Sequence, residues 1–403
     1  MKAIITPSKA RGIVNAPPSK SMAHRMLIGA GMAEGVSKLS NIDLSEDIKA
    51  TLGVLEAMGA EYTICDHTVT MRGIGGNKVC AKQEMDCKES GSTLRFFIPI
   101  LLAGGERCKF TGAKRLFERP LDIYENICQK QGILFEKDEC GVTLEGSLQA
   151  THYQVVGNIS SQFITGLLFA LPLLEQDSTL EILPPVESKA YIDMTLETLA
   201  MCGVEVKQEE NVFYIKGNQT YKPIQGAVEG DYSNAAFLEA FNLIGGSVQV
   251  EGLKKDSLQG DQVYRTYFET LQKASSRVDI SECPDLGPIL MGMAATGHGA
   301  TFIGTRRLKI KESDRGTVMA QELQKFGIAC EVMENEIKVL DGKLQTPQET
   351  LDGHNDHRIV MTLAVLASIT GGTIEGCEAV KKSFPNFFEV IKKMGIQVSI
   401  EDE

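Results

Sequence analysis

A short charged segment, residues 306–315, has the residue types that an anion-binding and proton-transferring site needs. Its sequence is RRLKIKESDR, with five basic side chains and two carboxylates in ten residues. Lysine and arginine bind phosphates and carboxylates, and a carboxylate beside such a ligand can carry a proton. We therefore interpret the segment as an anion site with Glu312 as its proton carrier. A solvated run of charges is the alternative that these residues leave open.

The spacing of apolar residues predicts the local structure of this segment. Leu308 and Ile310 alternate with charged residues, as in a strand at the edge of a sheet. Beyond Ser313 the apolar residues, among them Leu323 and Phe326, follow a helical period. We therefore expect a strand followed by a helix, with Ser313 as the helix N-cap. The N-terminus of a helix favours bound anions, which agrees with the clustered cations.

Two other segments combine hydroxyls with polar or charged groups at the start of a predicted helix. In PSKSMAHR, Lys20, Ser21 and Arg25 lie on adjoining turns and suit a phosphate or a carboxylate. Ser160 and Ser161 precede an apolar helix, so their hydroxyls and main-chain amides can bind a phosphate. Taken alone, the first segment could equally be an exposed first turn, and Ser160 with Ser161 could be an ordinary helix N-cap.

Single residues, one of them the last of the charged segment, are further candidates. Arg315 and Arg358 can each hold a carboxylate or phosphate in a bidentate fork. Other positions have commonplace alternatives when they are considered alone. Gly91 could be a turn glycine, Arg119 before a proline could be a solvated loop residue, and Tyr191 could serve packing.

Composition excludes several classes of protein. The net charge of −12 argues against a general nucleic-acid or membrane-surface binder, because such proteins present basic faces. No apolar run reaches the roughly 18 residues that a membrane span requires. The ten cysteines include no C-x-x-C pair, so we expect a reduced cytoplasmic protein without a bound metal. Basic clusters in an acidic chain suggest focused sites for small anions.

The chain repeats one pattern six times, and this repetition decides the predicted fold. Each copy has a polar tip, an apolar helix, a short strand, an amphipathic helix and a further strand after a glycine. Within each half of the chain these glycines lie roughly 70 residues apart: Gly59, Gly132, Gly203, Gly327 and Gly395. The fourth copy is shorter and has Ala274 in that place. We predict an α+β fold in which six βαβαββ-like units bury their apolar helices.

The order of the copies predicts two domains of three units each. Copies one to three are contiguous, as are copies four to six, and the connection YKPIQGAVEGD lies between them. We assign residues 17–227 to one domain and residues 1–16 with 228–403 to the other. The strand Lys2–Thr6 is expected to pair with the second half of the chain. The active site would then lie in the cleft between the domains, where polar helix N-termini meet.

Ten motifs occur in a fixed order: PSKSMAHR, SGSTLR, FERP, SSQF, SKAYID, EGD, PD, KESDR, NDHR and KSFP. In this order the chain resembles the 5-enolpyruvylshikimate-3-phosphate synthase family (3-phosphoshikimate 1-carboxyvinyltransferases) over residues 19–396. The resemblance implies an inverse α/β barrel in each of two domains. It also implies a transferase that moves the enolpyruvyl group of phosphoenolpyruvate to the 5-hydroxyl of shikimate 3-phosphate, in aromatic amino acid and chorismate biosynthesis. It implies no cofactor, and we expect a monomer.

The resemblance further implies which residues contact the two small-molecule substrates. Those expected around shikimate 3-phosphate are Lys20, Ser21, Arg25, Ser160, Ser161, Gln162, Ser188, Tyr191, Asp285 and Lys311. Those expected around phosphoenolpyruvate are Lys20, Gly91, Arg119, Gln162, Arg315, Arg358 and Lys382. Glu312 and Lys20 are expected to deliver and remove the proton of the methyl carbon. Asp285 is expected to accept the proton of the attacking hydroxyl.

The chain departs from the family pattern at few positions. Ala190 replaces a frequent proline, and Arg307 stands where many members have asparagine or another polar residue. Contacts with shikimate 3-phosphate at these two positions are therefore expected to differ. Gly91 leaves a surface without a side chain beside the phosphoenolpyruvate site. We expect sensitivity to glyphosate, a phosphonate that occupies that pocket in the family.

Two other classes of function are compatible with parts of the sequence. A UDP-N-acetylglucosamine enolpyruvyl transferase, the nearest alternative, would require a reactive cysteine where the FERP segment has Arg119. A repeat-built RNA-binding protein would need a basic face with stacking aromatics, and this chain has no tryptophan and 6% aromatic residues. The complete set of motif residues argues against a non-catalytic module. We therefore expect an enzyme that binds neither nucleic acid nor membranes.

Overall fold

The computed structural model describes residues 1–75, 79 and 84–402. The chain divides into two compact units, each with its own hydrophobic core. The continuous unit is Lys20–Val228, and the discontinuous unit is Met1–Ser19 with Glu229–Glu403. The sequence assignment placed these boundaries at residues 16/17 and 227/228. The cleft between the domains stays a prediction.

Helices and strands alternate along the chain. The α-helices of the described part are α1 (Lys20–Met32), α2 (Glu46–Met58), α3 (Gly91–Gly104), α4 (Lys114–Glu118), α5 (Asp122–Gln131), α6 (Ser161–Ala170), α7 (Lys189–Met201), α8 (Tyr232–Leu243), α9 (Tyr264–Lys273), α10 (Gly287–Thr296), α11 (Arg315–Lys325), α12 (His357–Thr370) and α13 (Phe387–Lys393). The strands of the first half are β1 (Lys2–Thr6), β2 (Arg11–Asn15), β3 (Val36–Ser40), β4 (Glu61–Cys65), β5 (Thr68–Arg72), β6 (Met85–Asp86), β7 (Cys108–Thr111), β8 (Leu134–Lys137), β9 (Gly141–Glu145), β10 (His152–Val156) and β11 (Ser178–Leu183). Those of the second half are β12 (Val206–Glu209), β13 (Val212–Ile215), β14 (Gln225–Ala227), β15 (Ser247–Glu251), β16 (Ser276–Asp279), β17 (Ala300–Ile303), β18 (Cys330–Val332), β19 (Glu336–Val339), β20 (Leu351–Asp352), β21 (Gly372–Glu375) and β22 (Gln397–Glu401).

In its described residues, the continuous unit contains three four-stranded sheets of one design. Their strand orders are β14-β3-β5-β4, β6-β7-β9-β8 and β10-β11-β13-β12. In each sheet the first pair is parallel and the other two pairs are antiparallel. Residues of β11 are alternately buried and partly exposed, so one face of its sheet covers the helices inside. The three sheets therefore surround one helical core.

The discontinuous unit has two four-stranded sheets and one pair of strands. The four-stranded sheets have the orders β16-β17-β19-β18 and β20-β21-β1-β22, and β15 pairs with β2 in parallel. The strand β1 lies between β21 and β22 and is antiparallel to both. This confirms the predicted pairing of Lys2–Thr6 with the second half of the chain. The short fourth copy corresponds to the two-stranded sheet.

Six helices form the interior, as the apolar runs predict. They are α1, α3 and α6 in the continuous unit and α8, α10 and α12 in the other. Nearly every residue of α6 and α12 is buried, because these helices are apolar all round. The predicted α+β class with buried helices is confirmed. In five of the six copies a glycine follows the amphipathic helix, and all five glycines have a positive φ, between 68° and 103°. In the fourth copy Ala274 takes this place, and its backbone is extended.

The charged segment 306–315 differs from its predicted structure. A 3-10 helix, Arg306–Ile310, stands where a strand edge was expected, because Gly304 (φ 74°) turns the chain after β17. Two consecutive residues of this 3-10 helix, Arg307 and Leu308, are both buried. Consecutive residues of an edge strand would point to opposite faces of the sheet. The N-cap of α11 is Asp314, whose carboxylate accepts the Thr317 amide (3.2 Å), and not Ser313. The cap and strand predictions for this segment were wrong.

Two further features bear on the class of the protein. Within the described residues, no helix combines the length and the apolar character needed to cross a membrane. The cysteines of the described part are free, and Cys80 lies outside the described residues.

Candidate active site

Arg315, the first residue of α11, is the centre of a charged cluster in the discontinuous unit. Its side chain is 1% exposed and donates to three carboxylates. The Nη1 atom lies 2.8 Å from Asp285 Oδ1, and Nη2 lies 2.6 Å from Glu312 Oε2. Nε and Nη2 bind the two oxygens of Asp356 at 2.8 and 3.2 Å, in a bidentate fork. Burial of this guanidinium is therefore balanced by opposite charge.

Asp285 lies in the 3-10 turn Pro284–Leu286 that precedes α10. Besides Arg315, its carboxylate accepts Lys311 Nζ at 2.9 Å and Arg358 Nη2 at 3.2 Å. Burial alone would raise the pKa of Asp285, but Arg358, Lys311 and Arg315 hold that pKa well below its ordinary value. The carboxylate is therefore ionised and can accept a proton.

Lys311 follows the 3-10 helix, and its ammonium group is close to several charges. Burial lowers the pKa of Lys311 to about 8; Asp285 opposes this shift, and Arg315 and Arg307 add to it. Arg307 is itself buried and donates to the carbonyl of Ser281 at 3.2 Å. Arg307, which departs from the family pattern, therefore lowers the pKa of Lys311 through its positive charge.

The N-terminus of α12 brings the remaining predicted residues of this unit to the same cluster. Asp356 caps the helix by accepting the main-chain amide of Arg358 at 2.9 Å. The Arg358 Nη1 atom donates to the hydroxyl of Ser233 at the start of α8. Lys382 Nζ donates to the carbonyl of Asn355 at 2.5 Å. The structure therefore joins the six predicted residues of the discontinuous unit: Asp285, Lys311, Glu312, Arg315, Arg358 and Lys382.

Arg25 is the corresponding buried cation of the continuous unit. Its Nε donates to Thr195 Oγ1 at 2.9 Å, and its Nη1 and Nη2 donate to the carbonyls of Ser21 (2.7 Å) and Tyr191 (2.9 Å). The guanidinium also lies over the Phe96 ring, 5.3 Å from its centroid. Burial lowers the pKa of Arg25 to about 10, so the side chain stays positive at neutral pH. Helices α1 and α7 are thereby fixed around one cation.

Lys20 begins α1 and forms an ion pair with a residue that the sequence interpretation did not include. Its Nζ lies 2.6 Å from Asp47 Oδ2, at the start of α2. Both side chains are largely buried, at 15% and 11% exposure. The Lys20 ammonium group is therefore held by a carboxylate at the start of α2.

Gly91 starts α3 and lies directly against Arg119. A Cβ atom at Gly91 would stand 2.6 Å from Arg119 Nη1 and 2.7 Å from Nη2, closer than atoms can approach. Its φ is not positive, so the reason for glycine is the close approach of the guanidinium and not a turn. The two predicted residues are thus in direct contact.

Ser160, Ser161 and Gln162 lie together at the start of α6. Ser160 caps the helix by accepting the Gln162 amide at 3.3 Å. The Gln162 side chain accepts Arg95 Nη1 at 2.7 Å and donates to Ser92 at 2.9 Å, so its orientation is fixed. Ser160 is therefore a helix N-cap, and its contact with substrate stays a prediction.

Ser188 precedes α7 in the left-handed region, with φ 56° and ψ 44°, and is fully buried. A non-glycine residue held there stores strain, which is common at ligand sites. The Tyr191 side chain is partly buried three residues later. The structure therefore places Ser188 and Tyr191 at the same helix start.

Among the residues that orient the predicted ones, sequence reasoning missed Asp47, Arg95 and Asp356. Asp356 had a local signal, since an aspartate just before an apolar run is an N-cap pattern. Its second role, holding Arg315, depends on tertiary contact and has no local signal. Asp47 and Arg95 likewise act on distant side chains.

The expectation of no bound metal overlooked one H-x-x-H spacing, His354 and His357. In the part of the chain that the structure describes, no three His, Cys, Asp or Glu side chains are grouped to hold a metal ion. The expectation stays a prediction.

The sequence of the chain matches one protein family. The family model described as EPSP synthase (3-phosphoshikimate 1-carboxyvinyltransferase) matches residues 4–391. A 3-phosphoshikimate 1-carboxyvinyltransferase of Clostridium novyi (strain NT) is 41% identical over 422 aligned positions, covering 97% of each chain. One from Clostridium kluyveri is 40% identical and covers 98% of this chain and 97% of its own.

Solved structures share the fold. A structure of EPSP synthase from Acinetobacter baumannii has a TM-score of 0.80 at 23% identity and covers 99% of this chain and 100% of its own. A second from the same organism has a TM-score of 0.81 at 22% identity, with complete coverage of both chains. Because the family model and the 40–41% identical relatives span nearly the whole sequence, the chain belongs to the EPSP synthase (3-phosphoshikimate 1-carboxyvinyltransferase) family.

Proposed function

We propose that this chain transfers the enolpyruvyl group of phosphoenolpyruvate to the 5-hydroxyl of shikimate 3-phosphate and releases phosphate. Membership of the family supports this activity. The observation that carries it is the carboxylate of Asp285, held by Arg315, Arg358 and Lys311. Cations and an ionised carboxylate at one point suit a reaction in which a hydroxyl attacks beside anionic groups. The nearest alternative, a UDP-N-acetylglucosamine enolpyruvyl transferase, is not favoured by the named relatives.

In this proposal the two substrates lie against the predicted residues of both units, in the cleft between the domains. Shikimate 3-phosphate contacts the starts of α1, α6 and α7, where Arg25, Ser160 and Ser188 lie. Phosphoenolpyruvate contacts Arg119 beside Gly91, together with the cations of the discontinuous unit. Phosphate and carboxylate groups at helix N-termini are stabilised by main-chain amides and by the helix dipole.

The chemistry proceeds by addition and then elimination. Asp285 accepts the proton of the 5-hydroxyl as that oxygen bonds to C2 of phosphoenolpyruvate, and Glu312 or Lys20 delivers a proton to C3. The tetrahedral intermediate then loses a proton from C3 to Glu312 or Lys20, the C–H electron pair re-forms the C2–C3 double bond, and the C2–O bond to phosphate breaks so that phosphate leaves. Arg315 and Arg358 stabilise the carboxylate and phosphate charges throughout.

Substrate binding also explains how Asp285 becomes a useful base. In the cluster described above, three cations make the carboxylate a weak proton acceptor. Bound carboxylate and phosphate groups compete for those cations, so the pKa of Asp285 rises toward the range in which a general base is effective. The base is thus activated when the anionic substrates arrive.

The test is phosphate release from phosphoenolpyruvate with shikimate 3-phosphate or UDP-N-acetylglucosamine as acceptor. Release with the first acceptor alone is expected. Asp285→Asn should lower kcat by roughly 10²–10⁴-fold, because a general base is lost. Asp256→Asn, at an exposed position of the same unit, is the matched control and should leave kcat unchanged. Release only with the sugar nucleotide would overturn the proposal.

We further propose that the protein acts as a monomer in the cytoplasm, without cofactor, metal, nucleic-acid or membrane partner. Its acidic composition and its focused cation clusters support these assignments. Light scattering of the purified protein at micromolar concentration should give the mass of one chain, 43.9 kDa. A mass of two or more chains would contradict the monomer.

A further inference from the structure

The loop between β20 and α12 supplies two anchors to the cation cluster. The carbonyl of Asn355 accepts Lys382 Nζ, and the carboxylate of Asp356 holds Arg315. His354 and Asn355 both have left-handed backbones, with φ of 49° and 51°. Two consecutive non-glycine residues persist in that region only when the surrounding structure holds them there.

The side chain of Glu322, on α11, holds this loop from the other side. It is 2% exposed, and its Oε2 accepts the main-chain amide of Asp352 at 3.0 Å. Its Oε1 lies 3.0 Å from His354 Nε2 and 2.9 Å from Lys325 Nζ. Both oxygens of a buried carboxylate are therefore used: one contact is with the last residue of β20 and one with the loop that follows it.

Helix α11 thus contacts the same loop near both of its ends. Arg315, its first residue, binds Asp356, and Glu322 lies seven residues later, two turns along the same face. A rigid helix attached at two points fixes both the start of the loop and the residue that caps α12. Neither Glu322 nor His354 is among the residues assigned to substrate.

We infer that Glu322 and His354 are positioning residues that hold Asn355 and Asp356, and through them aim Lys382 and Arg315. This inference rests on the proposed function, because Lys382 and Arg315 are assigned there to phosphoenolpyruvate. Loss of the Glu322–His354 contact lets the strained loop relax, and both cations then lose a fixed partner. Phosphoenolpyruvate should then bind more weakly, while the side chains that take part in the reaction remain present.

The experiment compares His354→Asn, Glu322→Gln and the double variant. Asparagine tolerates a left-handed backbone, so His354→Asn removes the imidazole contact while the chain keeps its local conformation. We expect KM for phosphoenolpyruvate to rise between about tenfold and a hundredfold, with kcat changed less than about threefold. KM for shikimate 3-phosphate should change less. The double variant should resemble the single ones, because the Glu322–His354 contact is already lost in each of them.

Lys325→Met is the matched control, because it removes the third partner of Glu322 but neither loop contact. Its KM should equal that of the wild type. An unchanged KM for phosphoenolpyruvate in His354→Asn, with wild-type turnover intact, would show that the contact serves stability alone and would overturn the inference.

A second readout separates this inference from the proposed function. Hydrogen exchange of the main-chain amides of residues 353–360 should become faster in His354→Asn and Glu322→Gln than in Lys325→Met. That measurement needs no activity. An inactive wild type would refute the proposed function alone, whereas unchanged exchange would refute the positioning role.

Discussion

At the scale of single residues, Lys311 has the property that a pH experiment can test. Its pKa is lowered to about 8 by burial, and the neighbouring arginines favour the neutral amine. As pH rises through about 8, the free enzyme loses this positive charge. The attraction for an anionic acceptor then weakens, so affinity falls with rising pH.

We therefore expect KM for shikimate 3-phosphate to rise between pH 7 and 9, approaching about tenfold per pH unit at the upper end. Lys311→Arg keeps the charge across this range, so its KM should be flat whatever its absolute value. Steady-state kinetics in one mixed buffer provide the comparison. A flat wild-type profile would mean that Lys311 does not bind the acceptor or keeps its proton.

Gly91 is the second test at this scale. In Gly91→Ala the added methyl group would meet the guanidinium of Arg119 at 2.6 Å, so Arg119 must move. KM for phosphoenolpyruvate should rise by roughly tenfold or more, because misplacing a binding group by about 1 Å is costly. Gly53→Ala in α2, where nothing lies within 4 Å, is the control and should not alter KM. Equal kinetics for both variants would contradict the role of Arg119.

Residue types were easier to predict than residue partners. The cations Arg315 and Arg358 were identified from chemistry and from the motifs, because a planar guanidinium suits bidentate binding of a carboxylate or phosphate. Asp356 was not, since its contact with Arg315 joins two segments far apart in sequence. Ser313 was assigned to the cap, yet its hydroxyl donates to Asp356 at 3.0 Å. Local propensity could not distinguish between two polar neighbours when a tertiary contact decided.

At the scale of elements, a chain of hydrogen bonds joins three helices of the continuous unit. His24 Nδ1 lies 2.8 Å from Thr51 Oγ1, which lies 2.8 Å from Thr93 Oγ1. Thr93 then donates to Ser90, the N-cap of α3, at 2.7 Å. Burial, with Lys20 and Arg25 adding to the effect, holds the pKa of His24 well below its ordinary value. The first group of this hydrogen-bond series is therefore a neutral imidazole. The series connects α1, α2 and the N-terminus of α3, where Gly91 lies.

Thr51→Val keeps the shape of the side chain but interrupts this chain in the middle. Two buried polar groups then lose a partner, so the free energy of unfolding should fall by about 1–3 kcal/mol. Thr63→Val on the exposed face of β4 is the control and should stay within about 0.5 kcal/mol. Urea unfolding monitored by circular dichroism measures both. A loss for Thr51→Val no larger than the control would mean that the hydroxyl chain adds nothing to stability.

Periodicity predicted the helices better than it predicted the sheets. The six apolar runs became buried helices because a helix without a polar face has no other stable place. The two-stranded sheet of β2 and β15 was not foreseen, since strand pairing is a contact between distant segments. The 3-10 helix Arg306–Ile310 was missed for a related reason: its alternating pattern is short, and Gly304 redirects the chain just before it.

At the scale of the whole molecule, the net charge and the local cation clusters predict opposite effects of salt on KM. The chain carries −12, so a uniform charge would repel anionic substrates, and added salt would screen that repulsion and lower KM. The cations, however, are gathered at helix starts, where the local field attracts anions. Salt then screens an attraction. The sign of the salt effect therefore reports which description governs binding.

We expect KM for both substrates to rise several-fold as ionic strength increases from about 10 to 150 mM, because the Debye length shortens from roughly 30 to 8 Å. The value of kcat should change less, since bound anions lie within a few ångströms of their partners. Asp66→Asn alters the net charge by one at an exposed position and should leave the slope unchanged. A fall in KM with salt would mean that the overall negative charge, and not the cation clusters, controls how the substrates bind.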